Sequence, residues 1–317
     1  MTRNQDVDTD SAEVFNEEIE VPVSADPPPP ASEIAIRMAR IREDLVGRVG
    51  EQSKFVKEVG QLIRDAIDYV IDAPVLYRYS IFDLDPDEKT AIGKRIERLL
   101  RFRLKIRTRK KLDVFLGGED VDIKTTMKDK WMFSKSNFDH ICLLIKYDEA
   151  AAKYSLGLAL VLEKYLGKGN RDTKKASKAE FREYISWVLR DEPYPENFVA
   201  HLPESHLSEI LEGKSGAERV RRLLQTESVI GRAIPRHAVC SVANQLDPLR
   251  RTRQNGGARD ELWRDGYLIL SGRTPLDAAI AREISQVSLK KDELMSLRAR
   301  DVTLKHRGEY KAAHRIA

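Results

Sequence analysis

Apolar residues recur on two different periods along this chain, and the switches between them mark its parts. From Ser32 to Ile71 the period is helical. Ile34, Ile36, Met38, Ile41 and Leu45 form one amphipathic stripe. Phe55, Val59, Leu62, Ile63, Ala66, Ile67 and Val70 form a second, so two helices are expected. The stretch from Asp83 to Thr90 reads as a turn that starts a third helix. Ile92, Ile96, Leu99 and Leu100 line that helix, with Glu97 beside the stripe. From Arg101 to Lys111 basic and apolar residues alternate. As a strand the segment puts Arg101, Arg103, Lys105, Arg107 and Arg109 on one face; as a continuing helix end it spreads them.

The period then becomes that of strands. Two short runs flank Gly117-Gly118, which reads as a hairpin turn. Ile141 to Ile145 is wholly apolar, suited to the centre of a mixed sheet, and Tyr154 to Leu162 supplies another strand. Gly167 to Asp172 is a boundary, followed by the basic stretch Lys174–Lys178. Helical patterns return over residues 179–190, 216–225 and 235–245, the last with Pro235 near its first turn. A break at Asp247-Pro248 leads into a basic, Gly-rich loop with Arg250, Arg251, Arg253, Gly256, Gly257 and Arg259. The segment after Gly266 is an apolar strand.

Composition adds limits. The 317 residues suffice for two domains with separate cores. With 41% hydrophobic and 33% charged residues, the chain reads as soluble and globular. No apolar run approaches the roughly 18 residues of a membrane span, and Met1 to Asp6 lacks the apolar stretch of a secretory signal. Cys142 and Cys240 lie in apolar runs and read as buried free thiols of a reducing cytoplasm, with no CxxC zinc site. The net charge of +4 conceals an asymmetry. Residues 1–34 are acidic and Pro-rich, a disordered arm, so the folded remainder is more cationic than the total. That balance suits a phosphate-bearing partner.

Candidate chemistry sits at the hairpin. Residues i and i+2 of a strand share a face, so Asp122 and Lys124 emerge side by side while Ile123 points the other way. The turn folds Asp113 back beside Asp122. Two carboxylates offer oxygen ligands to Mg²⁺, and the lysine can orient a water and offset charge at a reacting phosphate. A helix carrying Glu97, then a hairpin carrying Asp113 and Asp122-x-Lys124, is the order of the PD-(D/E)xK nuclease core. The cationic run before the hairpin would hold a phosphate backbone beside those acids.

Read together, these stretches resemble the NaeI-type restriction endonucleases over nearly all of the chain after the arm. The resemblance rests on Glu88-Lys-Thr leading to Gly93 and Glu97, on Asp113 with its spacing to Asp122 and Lys124, and on the run beginning His140-Ile-Cys. It continues through Gly169 to Asp172, Ile230 to Ala233, and Gly256 to Arg259 followed by Gly266 to Leu270. It implies an α/β (α+β) architecture. A restriction-endonuclease-like mixed sheet flanked by helices spans 35–168, and a C-terminal winged helix-turn-helix DNA-binding domain spans 169–317. It also implies a catalytic quartet of Glu97, Asp113, Asp122 and Lys124, with Glu97, Asp113 and Asp122 as Mg²⁺ ligands. DNA contacts would come from Arg250, Arg251, Arg253, Gly256, Gly257 and Arg259. The implied protein is a cytoplasmic homodimer that takes two copies of double-stranded DNA, a cleaved palindromic site and an effector (type IIE). A nicking or repair nuclease on the same core, or a non-catalytic winged-helix regulator, are the alternatives. The acidic arm, and the extra charges of Glu119 and Asp120 at the hairpin, depart from the family pattern.

Overall fold

The computed structural model describes residues 33–108, 112–170, 173–245, 252 and 258–316. The helical periods of the N-terminal third produce α1 (Glu33–Gly47), α2 (Gln52–Ile71), a single turn α3 (Ala73–Leu76) and α4 (Pro86–Arg103). Helix α4 starts where the sequence dictates. The Asp85 carboxylate accepts from the Glu88 N–H at 2.8 Å, and the Glu88 carboxylate accepts from the Asp85 N–H at 3.0 Å. Pro86 occupies the first turn, where its missing N–H costs nothing. The helix runs through Arg103, so the basic run begins as a helix end rather than a strand.

Strands β1 (Val114–Leu116) and β2 (Glu119–Thr126) form the expected hairpin. They are followed by β3 (Met132–Phe133), β4 (Ile141–Asp148), β5 (Lys153–Leu160), β6 (Leu166–Gly169), β7 (Lys175–Ser177) and β8 (Ser186–Pro193). Five of these make a mixed sheet in the order β1-β2-β4-β5-β8, in which β2 and β4 are parallel and the other pairs antiparallel. Period two decides what each face touches. Leu143, Ile145, Leu156 and Leu158 pack on one side against α1, α2 and α4. Cys142, Leu144 and Ala159 pack on the other against Trp131, Phe133 and Phe181, which belong to the small sheet β3-β7-β6 and its flank. Helix α4 crosses β2 closely at Gly93, where a Cβ would stand 2.3 Å from Thr125 Oγ1.

Two expectations are corrected here. Residues 179–190 are not a helix but a 3-10 turn, Ala179–Tyr184, followed by β8. Their apolar spacing also fits a strand, and pairing with β5 over Lys153 to Leu158 outweighs local preference. The boundary expected at 168/169 also falls within the first unit, because β7 and β8 both return to its sheets.

The remaining chain forms α5 (Glu204–Leu211), α6 (Gly216–Gln225), β9 (Ile234–Pro235), α7 (Arg236–Ala243), α8 (Ala258–Arg264), β10 (Tyr267–Ser271), α9 (Pro275–Ser285), β11 (Glu293–Arg298) and α10 (Leu304–Ala313). A three-stranded antiparallel sheet, β10-β11-β9, divides two cores. Ile234, Ile269 and Leu294 face α6, α7 and α8. Leu268, Leu270, Met295 and Leu297 face α9 and α10. The two halves meet where Asn197 Nδ2 donates to the Tyr79 carbonyl at 2.9 Å and His237 Nδ1 lies 3.5 Å from the Asp68 carboxylate. Cys142 is buried as expected, whereas Cys240 is only partly covered; neither forms a disulfide. Among the described residues no helix is long and apolar enough to cross a membrane.

Candidate active site

The hairpin places its charges as the strand period requires. Val114 pairs with Val121, so Asp113, one residue before β1, continues opposite Asp122. The Asp113 Oδ2 accepts from the Ile123 N–H at 2.9 Å, which fixes this carboxylate against β2. Asp122 is 5% exposed and receives the ammonium of Lys124 on Oδ2. Glu97 reaches the same region from α4, and its carboxylate pairs with Arg101 at 3.0 Å, one turn on.

Three carboxylates, Glu97, Asp113 and Asp122, gather beside two cations, Lys124 and Arg101. Burial, then the neighbouring Asp113 carboxylate, pushes the Asp122 carboxyl up to about 7 against the pull of Lys124. Glu97 is raised for the same two reasons, burial first, and Arg101 and Lys124 oppose the shift. A divalent cation would relieve this imbalance, and two hard carboxylate oxygens are the donor type Mg²⁺ prefers. Among the described residues, no group of three His, Cys, Asp or Glu side chains is close enough to enclose a metal. Asp113 and Asp122 are the carboxylates set together on the hairpin, while Glu97 is paired with Arg101.

The hairpin is held from outside by α1. Arg37 grips the Glu119 carboxylate through Nε at 2.7 Å and Nη2 at 2.6 Å. Asp44 accepts from the Gly117 N–H at 2.9 Å. Gly117, at a φ of +58°, lies so close to α1 that a Cβ would come within 2.6 Å of the Ile41 nitrogen. Glu119 is thus an anchor. The basic run before the hairpin is partly engaged: Arg103 pairs with Asp65 and with Glu58, while Lys105 and Arg107 are exposed.

Sequence reasoning missed Asn137, which is 2% exposed and donates to Asp122 Oδ2. The only local signal was a Ser134-x-x-Asn137 cap in the connection between β2 and β4. His140 is exposed just before β4, and Trp131 is buried in the core. Of the expected DNA contacts, Arg250, Arg251, Arg253, Gly256 and Gly257 lie outside the described residues. Arg259 is corrected. Its guanidinium is buried, donating to the Ile269 carbonyl and the Tyr310 hydroxyl, each at 2.6 Å, so it braces the C-terminal core.

A helix-flanked mixed sheet whose edge hairpin bears paired aspartates and Asp-x-Lys is a restriction-endonuclease-like fold. A family model described as restriction endonuclease NaeI matches residues 53–316. The type II restriction enzyme NaeI of Lentzea aerocolonigenes is 29% identical over 245 residues, which span 75% of this chain and 76% of that enzyme. The chain belongs to the NaeI restriction endonuclease family.

Proposed function

We propose that this restriction endonuclease hydrolyses phosphodiester bonds of double-stranded DNA at a short palindromic site, with Mg²⁺ held by Asp113 and Asp122. The observation that carries the reading is the juxtaposition of Glu97, Asp113 and Asp122 with Lys124, where burial and Asp113 raise Asp122. When bound, Mg²⁺ supplies Lewis acidity toward the phosphate and acidifies a coordinated water. Asp113, tied to the β2 backbone, and Asp122, tied to Lys124, define where the cation sits. The Lys124 ammonium offsets charge building on the phosphate and orients the attacking water. In-line attack forms a bond from the water oxygen to phosphorus as the bond to the leaving sugar oxygen breaks. Glu97 acts from further out, through water.

A palindrome has two-fold symmetry, so a homodimer with one such site per strand is the matching assembly. We assign the C-terminal unit to a second DNA. Support comes from the order α6, β9, α7, α8, β10, α9, β11, with β9 and β10 flanking β11; this is the winged-helix order with α9 added between its last two strands. On the exposed side of α8, Glu261 pairs with Arg221 at 3.2 Å and Arg264 faces solvent. We assign further DNA contact to Arg250, Arg251 and Arg253 in the basic run that precedes α8.

Digestion of plasmid DNA with and without Mg²⁺, alongside Lys124→Ala, tests the reading. Discrete Mg²⁺-dependent fragments absent from the variant are expected. Salt-sensitive binding without cleavage, on one-site and two-site plasmids and with a site-bearing duplex added, would sink it in favour of a non-catalytic DNA-binding protein.

A further inference from the structure

The connection that carries the chain from β2 to its parallel partner β4 spans residues 127–140. It places one side chain, Asn137, in the interior beside Asp122. The residue ends a 3-10 turn, Lys135–Asn137, whose cap is Ser134. Its amide is oriented without ambiguity. Oδ1 accepts from the Ser134 N–H and from the Ser134 hydroxyl, each at 2.9 Å. A backbone N–H can only donate, so the carbonyl end of the amide must face it, and the NH₂ end must face Asp122. Its own backbone is pinned as well: the Asn137 N–H donates to the Ser134 carbonyl at 3.0 Å, and the Asn137 carbonyl accepts from the His140 N–H at 3.2 Å.

Both side-chain donors to Asp122, Asn137 Nδ2 and Lys124 Nζ, converge on the same oxygen, Oδ2. One donor fixes the distance of a carboxylate but leaves it free to swivel. Two donors from different directions stop the rotation. The other oxygen, Oδ1, then has a set direction and is the one available to a cation.

We propose that Asn137 is a positioning residue that makes Asp122 a one-oxygen ligand, offering Oδ1 to the divalent cation while Oδ2 stays bound to Asn137 and Lys124. This rests on the metal reading above. Outer partners of ligating carboxylates typically alter metal affinity about 10- to 100-fold when lost, and Asn137 belongs to that class. Its capping task is separable from this one, because the cap uses only Oδ1 and the positioning uses only Nδ2.

The separation supplies the experiment. Asn137→Asp keeps the acceptor that caps the turn and removes the donor; Asn137→Ala removes both. Binding of Mn²⁺ to the full-length protein is titrated by calorimetry, with Asp122→Ala alongside, and thermal unfolding is recorded for each variant. The expected result is Mn²⁺ binding weakened tenfold or more in Asn137→Asp, with a melting temperature within a few degrees of the parent and a matching rise in the Mg²⁺ needed for half-maximal cleavage. Mn²⁺ binding by Asn137→Asp that equals or exceeds the parent's overturns the proposal and leaves Asn137 as a cap alone. If the parent's Mn²⁺ binding survives Asp122→Ala, the metal reading itself fails. The two failures are thereby told apart, and a poorly folded Asn137→Ala does not affect the decision.

Discussion

Two charge clusters are buried in the first unit, and they are built on opposite terms. Arg64 on α2 is fully buried between Asp68 at 2.6 Å and Glu149 at 2.8 Å, and the Tyr194 hydroxyl donates to the second oxygen of Glu149 at 2.6 Å. Burial alone would lower the Arg64 pKa, but its two acids hold it above the ordinary value. At the hairpin, Glu97, Asp113 and Asp122 lie beside Lys124 and Arg101, and burial raises Asp122 instead. The first cluster has donors for its acceptors and ties α2, the β4–β5 turn and the end of β8 together. In the second, burial and the neighbouring Asp113 outweigh the pull of Lys124 on Asp122. Buried ion pairs are common structural devices, whereas strongly perturbed acids concentrate at functional sites, which is the ground for the proposed role of the hairpin.

This contrast can be broken by substitution. The largest effect is expected at the hairpin: Lys124→Ala or Asp122→Ala should lower single-turnover cleavage on the order of 10³-fold or more while salt-sensitive DNA binding persists. Binding lost together with cleavage would mean that the hairpin charges are structural after all. At the other cluster, Arg64→Met should cost about 3–5 kcal/mol in urea unfolding, because it strands Glu149. The surviving folded fraction should need the same Mg²⁺ concentration as the parent. A selective change in Mg²⁺ requirement would show that the two clusters are not independent.

Truncation probes the support of the hairpin. Helix α1 lies before the residues that the family model matches, yet it buries Met38, Ile41 and Leu45 and holds Glu119 and Gly117. Removing residues 1–50 should cost roughly 3 kcal/mol or more and impair cleavage. Removing residues 1–30 should leave both unchanged, and a dead short truncation would assign the acidic arm a function.

The smallest effect is a pH dependence. In metal-free buffer the folded Asp122 carboxyl titrates near 7, against about 4 when unfolded. The folded state therefore binds this proton more tightly, and ionising Asp122 erodes stability as pH climbs from about 4 to about 7. Asp122→Asn, which cannot ionise, should overtake the parent across that window and lead by roughly 1–3 kcal/mol at pH 8. Parallel stability curves for the two proteins would show that the hairpin carries no charge strain.

What the sequence disclosed follows the range of the interactions involved. The hairpin was legible because Gly117-Gly118 and the alternation around Ile123 are local, and α4 was legible from its Asp85 cap. Strand β8 was not, because Phe181, Ile185, Val188 and Leu189 also satisfy a helical period. Only pairing with β5, some thirty residues earlier, decides between the two. Arg259 sat in a basic loop and invited a DNA role, but its partner Tyr310 lies 51 positions on. Asn137 is invisible for the same reason, since an asparagine gains its meaning only from the carboxylate it meets.

The late arrival of β8 has a consequence in time. Glu97, Asp113, Asp122, Lys124 and Asn137 all precede residue 160, where β5 ends, whereas β8 begins at Ser186. At a synthesis rate of about 5–20 residues per second, the acidic hairpin spends a few seconds on a four-stranded sheet whose β5 edge is open. An open apolar edge is a template for pairing with other chains. The insert carrying β6 and β7 therefore sets how long each nascent molecule remains vulnerable to aggregation, and shortening it would act on yield before it acted on cleavage.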